Sequence, residues 1–131
     1  FERRIPFNRM LGIKFRALQP GSCTLHLPWK KKLVGDPSCP AVHGGVLSAL
    51  LDTAGGAACF SKLESPNDRV SAVDLRLDDL RPGPPVDFFA RLRSCAVRGG
   101  PAICCSSAAN TAGQPVRRSC TRQERVDVQN S

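Results

Sequence analysis

The strongest pattern along the chain is an apolar run from residue 42 to residue 61, in which Asp52 is the only charged side chain. The run is long enough for about four helical turns at ~3.6 residues per turn. It is apolar or small on nearly all sides, which is typical of a helix inside a fold rather than on its surface. We therefore predict a buried central helix from Gly44 to about Lys62.

Strand-like segments lie on both sides of this helix. A short helical lead-in and two strands are predicted before it, at 6–11, 13–18 and 23–28, followed by a long loop rich in Gly and Pro. After it, apolar and charged residues alternate at 73–78, which indicates a half-buried strand. Further strands are predicted at 87–97, 102–110 and 115–125, with a hairpin turn at 98–101.

One helix between two early and four later strand segments indicates an α+β fold, in which an antiparallel sheet curls around the helix. A chain of 131 residues would bury roughly two-thirds of its unfolded surface, which is enough for a core. We predict one domain over residues 1–131. No uninterrupted apolar run approaches the ~20 residues of a membrane span, because Asp52 interrupts the best candidate and its glycines weaken it further.

Seven cysteines are spread along the chain without the clustering of a disulfide framework or a zinc site. Their number is odd and no Cys-x-x-Cys pair exists. The two histidines, His26 and His43, are far apart, and we predict no metal site. We interpret the thiols as small apolar side chains in a reducing compartment. They are Cys23, Cys39, Cys59, Cys95, Cys104, Cys105 and Cys120.

The chain is basic, with 19 Lys and Arg against 11 Asp and Glu and a formal net charge of +8. This balance raises nucleic-acid binding as an alternative. However, the few aromatic residues do not alternate with basic ones as a stacking platform would, and we expect no nucleic-acid partner. A smaller polyanion, such as a nucleotide-bearing cofactor, would use the same charge. A solvated basic surface is the plain alternative.

Asp52 is the leading candidate for chemistry. An unpaired carboxylate in an apolar helix costs several kcal/mol, and removing one partner of a buried charge pair costs roughly 3–5 kcal/mol. A chain that carries this cost more often uses the carboxylate than merely tolerates it. The alternative is that Asp52 pairs with an arginine across a subunit interface and takes no part in a reaction.

Three stretches of the chain resemble a known family. The central helix opens with His43-Gly44-Gly45 and continues through Leu50-Leu51-Asp52-Thr53-Ala54. The strand after it reads Asp74-Leu75-Arg76-Leu77-Asp78, with Leu80-Arg81-Pro82, and the lead-in reads Pro6-Phe7-Asn8-Arg9-Met10-Leu11-Gly12. Together they resemble hotdog-fold acyl-CoA thioesterases of the phenylacetate-pathway (PaaI) type, over roughly residues 5–125. The resemblance implies a hotdog fold, an antiparallel sheet wrapped around one long helix.

The resemblance also implies catalytic roles. Gly44 would offer its backbone N–H to the thioester carbonyl, Asp52 would act as general base or nucleophile, and His43 would lie beside the thioester as polar support. Elementary physics supports the first role, because the first N–H groups of a helix lack partners and its dipole favours negative charge there. Losing one such oxyanion donor costs roughly 10²–10³ in rate.

The remaining expectations follow from the same resemblance. The predicted substrate-binding residues are Gly45, Asp36, Ser71, Arg81 and Arg98. The substrate would be an acyl-CoA, with no separate cofactor, and the protein would form a homodimer, usually paired into a tetramer in that family. We expect a cytoplasmic location, although a start at Phe1 leaves an organellar one open. A non-catalytic hotdog protein that binds acyl-CoA or a related ligand is the alternative function.

Three positions depart from the family pattern. Pro37 stands where an Asn often polarises the thioester, which leaves that role empty or to Asp36 or Ser38. Ala72 stands where a Ser or Thr is common, with Ser71 one position away and therefore on the opposite face of the strand. Asp79 stands where a Tyr is usual.

The spacing of Gly44 and Asp52 predicts a shared site. They are eight residues apart, which places them ~12 Å apart along one helix at ~1.5 Å per residue. A carbonyl and the group that attacks it must lie within about 3–3.5 Å of each other. One chain cannot place both on one substrate, whereas two helices packed antiparallel across a two-fold axis can. We therefore predict that each site takes Gly44 from one chain and Asp52 from its partner.

Overall fold

The computed structural model describes residues 4–63, 69–95 and 102–126, which form two α-helices, one 3-10 helix and eight strands. The helices are α1 (Pro6–Leu11) and α2 (Gly44–Phe60), and the 3-10 helix η1 covers Lys31–Leu33. The strands are β1 (Lys14–Gln19), β2 (Ser22–Leu27), β3 (Val34–Asp36), β4 (Cys39–Val42), β5 (Arg69–Asp79), β6 (Phe88–Cys95), β7 (Ala102–Asn110) and β8 (Pro115–Val126).

Six of the strands form one antiparallel sheet in the order β1-β2-β6-β7-β8-β5. Helix α2 packs across the face of this sheet and contacts all six of its strands, from the edge strand β1 to the opposite edge strand β5. The predicted α+β class, with one long helix held by an antiparallel sheet, is confirmed. The predicted turn at 98–101 lies outside the described residues.

The lead-in helix α1 begins and ends where the sequence predicts. Pro6 occupies its first turn, where the missing N–H removes no hydrogen bond. Gly12 ends it in the left-handed conformation, with φ of 80°, which glycine adopts without steric cost. The Lys30 ammonium then donates to the Leu11 carbonyl at 3.0 Å, a favourable place for a cation at a helix C-terminus.

The segment between β2 and α2 was predicted to be a long loop, and this prediction was wrong because part of it has regular secondary structure. It contains η1 and a two-stranded hairpin of β3 and β4. The Asp36 carboxylate closes the hairpin turn by accepting hydrogen bonds from the Ser38 N–H (2.8 Å) and hydroxyl (2.6 Å). Strands of three and four residues are too short to show a period of two, so the Gly and Pro content dominated the pattern.

Helix α2 is buried on its sheet side only. Leu47, Leu50, Leu51, Ala54 and Ala58 are almost inaccessible and form the centre of the core. The opposite side is partly open to solvent. It carries a row of mostly small residues at helical spacing, which we call the open stripe: Gly45, Ala49, Asp52, Thr53, Gly56 and Phe60. The prediction that α2 is enclosed on all sides therefore fails within one chain.

Strand β5 is an edge strand with an irregular register. Its pairing with β8 shifts between Ala72 and Asp74, so that Val73 is left as the extra residue of a bulge. Val73 is accordingly 56% exposed, while Leu75 and Leu77 are half-buried. The alternation that predicted this strand holds only beyond the bulge.

Candidate active site

The first turn of α2 leaves one backbone donor free. A helix begins with four N–H groups that lack partners inside the helix. His43 N–H donates to the Leu33 carbonyl (2.8 Å), Gly45 N–H to His43 Nδ1 (3.0 Å) and Val46 N–H to the His43 carbonyl (2.9 Å). The Gly44 N–H has no acceptor among the residues that the structure describes. It therefore points a free donor outward at the positive end of the helix dipole.

His43 is the N-cap of α2 and is exposed. Since its Nδ1 accepts the Gly45 N–H, the imidazole orients the helix start. The hairpin holds it closely, because a Cβ on Gly35 would stand 3.0 Å from the His43 Cα. Its Nδ1 is therefore occupied by the cap, and a supporting role beside a substrate remains a prediction.

Arg117 of β8 contacts the same turn of α2 from the side of the sheet. Its Nη1 donates to the Gly44 carbonyl (2.7 Å) and to the Ser48 hydroxyl (2.6 Å). Its Nε and Nη2 contact the Asp79 carboxylate. The Ser48 hydroxyl also donates to the Gly44 carbonyl at 3.0 Å. The start of α2 is thus fixed to the end of β5 and to β8 by one guanidinium.

Sequence reasoning missed Arg117 and Ser48. Arg117 lies in the mostly polar last strand, where it follows the buried Val116 and breaks any alternation, so no periodicity marks it as inward-facing. Asp79, recorded only as a departure from the family pattern, is the partner of Arg117. A carboxylate at that position is therefore used for an ion pair.

Asp52 lies on the open stripe, half-buried, and no hydrogen bond or ion pair reaches its carboxylate from the described part of the chain. Burial without a compensating partner raises the pKa of this carboxyl above its ordinary value. A carboxyl of this kind binds a proton more readily than an exposed one. That is the direction a general base in a dry site requires.

Gly44 and Asp52 are two turns apart on one continuous helix. The separation of ~12 Å that follows from a rise of ~1.5 Å per residue is too great for both to act on one carbonyl. Within one chain the structure leaves these two groups apart.

An apolar pocket of about 480 Å³ opens beside the helix start. Its walls come from α1, from η1 and β3, and from the first turn of α2. Lys32 is its only lining residue with a formal charge at neutral pH. The lining residues are Phe7, Met10, Leu11, Lys32, Leu33, Val34, His43, Gly45 and Val46.

The other predicted binding residues are scattered. Gly45 lines the pocket. Asp36 closes the hairpin, and the hydrogen bonds that its carboxylate accepts from Ser38 lower the pKa of that carboxyl. Arg81 is exposed just beyond β5, next to the end that contacts Arg117. Ser71 is exposed eight residues before Asp79 on the same strand, ~26 Å away at ~3.3 Å per residue. Arg98 lies outside the described residues.

Histidine and cysteine side chains do not form a metal centre in the described ranges, where no group of three possible ligands occurs. His26 is buried between Arg16 and Asp87, with its Nε2 2.8 Å from the Asp87 carboxylate. Cys23 and Cys59 are buried, as their interpretation as apolar packing requires. Cys39 and Cys120 are exposed, so that interpretation is wrong for these two. No helix of the described residues is long and apolar enough to cross a membrane.

Residues 40–93, which include the whole of α2, match the model of the thioesterase superfamily. A solved structure of a protein from this superfamily is 26% identical, with a TM-score of 0.85 over 96% of this chain and 92% of that one. Over residues 40–93 the chain is similar to the thioesterase superfamily, and over nearly its whole length it shares the fold of a member of that superfamily. Its hotdog-type architecture is that of solved thioesterase-superfamily structures, as predicted.

Two further proteins are similar to this chain, one in fold and one in sequence. The PaaI protein of Escherichia coli, from the phenylacetic acid degradation operon, shares the fold with a TM-score of 0.84 and 20% identity, over 94% of this chain and 86% of that one. The medium/long-chain acyl-CoA thioesterase YigI of Escherichia coli is 30% identical over 95 residues, which are 63% of this chain. The match spans 61% of the length of YigI.

The raised pKa of Asp52 predicts how its replacement affects stability. Folding favours the protonated carboxyl, so the ionised group costs stability, increasingly as the pH rises from the unfolded pKa of ~3.9 through the folded one. Asp52→Asn, which cannot ionise, should therefore unfold at a higher urea concentration than the wild type at pH 7. The two midpoints should converge near pH 3. Equal midpoints at both pH values would show that burial of Asp52 has no cost.

Proposed function

We propose that this protein hydrolyses acyl-CoA thioesters to a free acid and coenzyme A. The observation that carries the proposal is the Gly44 N–H, which has no acceptor in the described ranges and lies at the start of α2 next to an apolar pocket. Such a donor can bind the thioester oxygen while the pocket takes the acyl chain. The relative YigI, named as a medium/long-chain acyl-CoA thioesterase, supports this substrate class.

The reaction places negative charge on the thioester oxygen. As an oxygen nucleophile adds to the carbonyl carbon, the C=O electron pair moves onto oxygen, which accepts the Gly44 N–H hydrogen bond. The helix dipole favours that charge at the same point. When the C=O bond re-forms, the C–S bond breaks and coenzyme A leaves as a thiolate that takes up a proton.

Asp52 supplies the other half of the reaction in one of two ways. As general base it removes a proton from a water molecule, whose oxygen attacks the carbonyl carbon. As nucleophile its carboxylate attacks directly and forms an anhydride, which water then hydrolyses. The raised pKa of Asp52 suits the first route, and the absence of a side-chain partner in the described residues leaves the carboxylate accessible for either.

A second copy of the chain would supply that Asp52. The open stripe of α2 presents small residues beside Asp52, which allow a second helix to approach closely. At Gly56 an added Cβ would meet no atom within 4 Å, so packing within the described chain does not explain this glycine. The edge strand β5 runs for 11 residues and has an unpaired side that a second β5 could join. We infer an antiparallel helix pair with two shared sites, each placing Gly44 of one chain opposite Asp52 of the other.

Basic side chains near the pocket suit the phosphates of coenzyme A. Lys31 and Lys32 of η1 are exposed, and Lys32 lines the pocket. Exposed ammonium groups attract phosphates in a manner that salt weakens. Arg81, exposed beyond β5, is a further candidate for these contacts.

Turnover of a substrate panel is the direct test. We expect the wild type to release thiol from short, medium or aryl acyl-CoAs, and Asp52→Asn to lose most of this activity while keeping its fold and dimer, because an amide neither accepts the proton nor attacks the carbonyl. Retention of activity within about threefold, or ~0.6 kcal/mol of barrier, would make Asp52 structural. A wild type that binds CoA esters without hydrolysing any would point to the non-catalytic binding protein.

Subunit mixing tests the shared site. Asp52→Asn and Gly44→Pro should each be inactive alone. Proline removes the Gly44 N–H, and its backbone suits the first helical position after His43 (ψ 129°), while its Cβ also meets the Arg117 guanidinium. Random exchange makes half of the dimers mixed, each with one intact site, so about a quarter of wild-type activity should return. A tagged pull-down verifies exchange. If exchange occurs without recovery, each site lies within one chain.

Gly56→Ala tests the helix contact without touching a proposed catalytic group. In a lone chain alanine should stabilise the helix by roughly 0.5–1 kcal/mol, because Cβ enters open space. In the proposed dimer the same Cβ enters the helix interface, so we expect weaker association, measured as a higher dissociation constant by analytical ultracentrifugation. Unchanged association with a raised melting temperature would remove Gly56 from any interface.

A further inference from the structure

A buried cation at the start of a helix needs an explanation. The positive end of the helix dipole disfavours Lys and Arg there, yet the Arg117 side chain is 7% exposed at the first turn of α2. Its counter-ion Asp79 is 67% exposed, so solvent screens that pairing much more than it screens the guanidinium. An ion pair with Asp79 alone would not require the Arg117 guanidinium to be buried against the first turn of α2.

The contacts of Arg117 converge on one peptide group. Nη1 donates to the carbonyl of Gly44 and to Ser48, whose hydroxyl donates to the same carbonyl. That carbonyl belongs to the residue whose N–H is free. The planar fork of arginine makes these contacts while Nε and Nη2 remain on Asp79, an arrangement that a single lysine ammonium cannot reproduce.

We propose that Arg117 is a positioning residue for the oxyanion donor: it fixes the orientation of Gly44 so that the free N–H faces the thioester oxygen, and it adds a fixed positive charge beside that oxygen. This inference rests on the proposed thioesterase function. It goes beyond the roles of Gly44 and Asp52 by naming the side chain that holds the donor in place.

The same geometry explains why residue 44 is glycine. A Cβ there would stand 2.9 Å from Arg117 Nη2, closer than real contacts allow. A shift of the guanidinium that relieves this contact strains its bonds to Gly44, Ser48 and Asp79. Gly44→Ala therefore displaces Arg117 while keeping the N–H of residue 44, which separates the donor from the side chain that positions it.

A double-mutant cycle tests the proposal. Gly44→Ala and Arg117→Met should each lower kcat at least tenfold while KM stays within about twofold, because positioning acts on the transition state. The double variant should be no slower than Arg117→Met alone, since alanine then has no guanidinium to displace. Independent, multiplicative losses would mean that residue 44 is glycine to make room for substrate, and would overturn the proposal.

Arg118→Met is the matched control. Arg118 is the next residue of β8 and is exposed, so its loss removes the same charge without contacting α2 and should leave kcat within about twofold. An equal loss of kcat from Arg118→Met would show that the net charge matters and that the hydrogen bond from Arg117 to Gly44 does not. If Arg117→Met does not fold, the cycle is repeated with Arg117→Lys, which lacks the Nη2 group that meets the Cβ.

A readout without substrate separates this inference from the proposed function. In ¹⁵N–¹H spectra, Arg117→Lys should shift the amide signals of Gly44, Gly45 and Ser48, and Arg118→Met should not. Unmoved signals would overturn the positioning role whatever the activity. Shifted signals in a protein that hydrolyses no acyl-CoA would uphold the grip of Arg117 on the helix start and reject the thioesterase proposal alone.

Discussion

The candidate site at the start of α2 depends on the hydrogen bonds that already occupy the neighbouring backbone N–H groups. At the start of α2 three of the four leading N–H groups have acceptors, and among the described residues only the one on Gly44 is left without one. A helix N-terminus with several free donors would bind water or any anion. One with a single free donor, flanked by His43 in the cap and by a buried guanidinium, would offer a carbonyl oxygen one hydrogen bond, as the proposed function requires.

That arrangement requires contributions from distant parts of the sequence. The cap belongs to α2 itself, the Leu33 carbonyl to η1, and Arg117 to the last strand, 73 residues beyond Gly44. The sheet order brings β8 beside β5, so Asp79 and Arg117 meet at the start of α2. The fold thus serves the site by joining three segments at one helix turn.

Residues whose role is set by local chemistry could be predicted from sequence. The limits of α1 followed from Pro6 and Gly12, and α2 from one long apolar run that ends within two residues of its predicted limit. Asp52 stood out because no other charge lies near it in the chain. Residues whose role is set by tertiary pairing could not be predicted. Arg117 is one of 19 basic residues until the register of β8 carries it to Gly44, and Val73 follows the alternation of β5 until the bulge turns it outward.

The smallest helix has a consequence for how such a protein can diverge. Helix α1 has six residues, too few to be stable alone. Hydrogen bonds to its C-terminal carbonyls from Lys30 and from the Gly12 N–H hold its end in place. Phe7 and Met10 line the pocket, yet each is about half exposed, so replacing them removes little from the core. The pocket can therefore be reshaped at these two positions, while Asn8 and Leu11 keep α1 buried against the rest of the chain. Under the proposed function, such replacements would change the preferred acyl chain while leaving the start of α2 as it is.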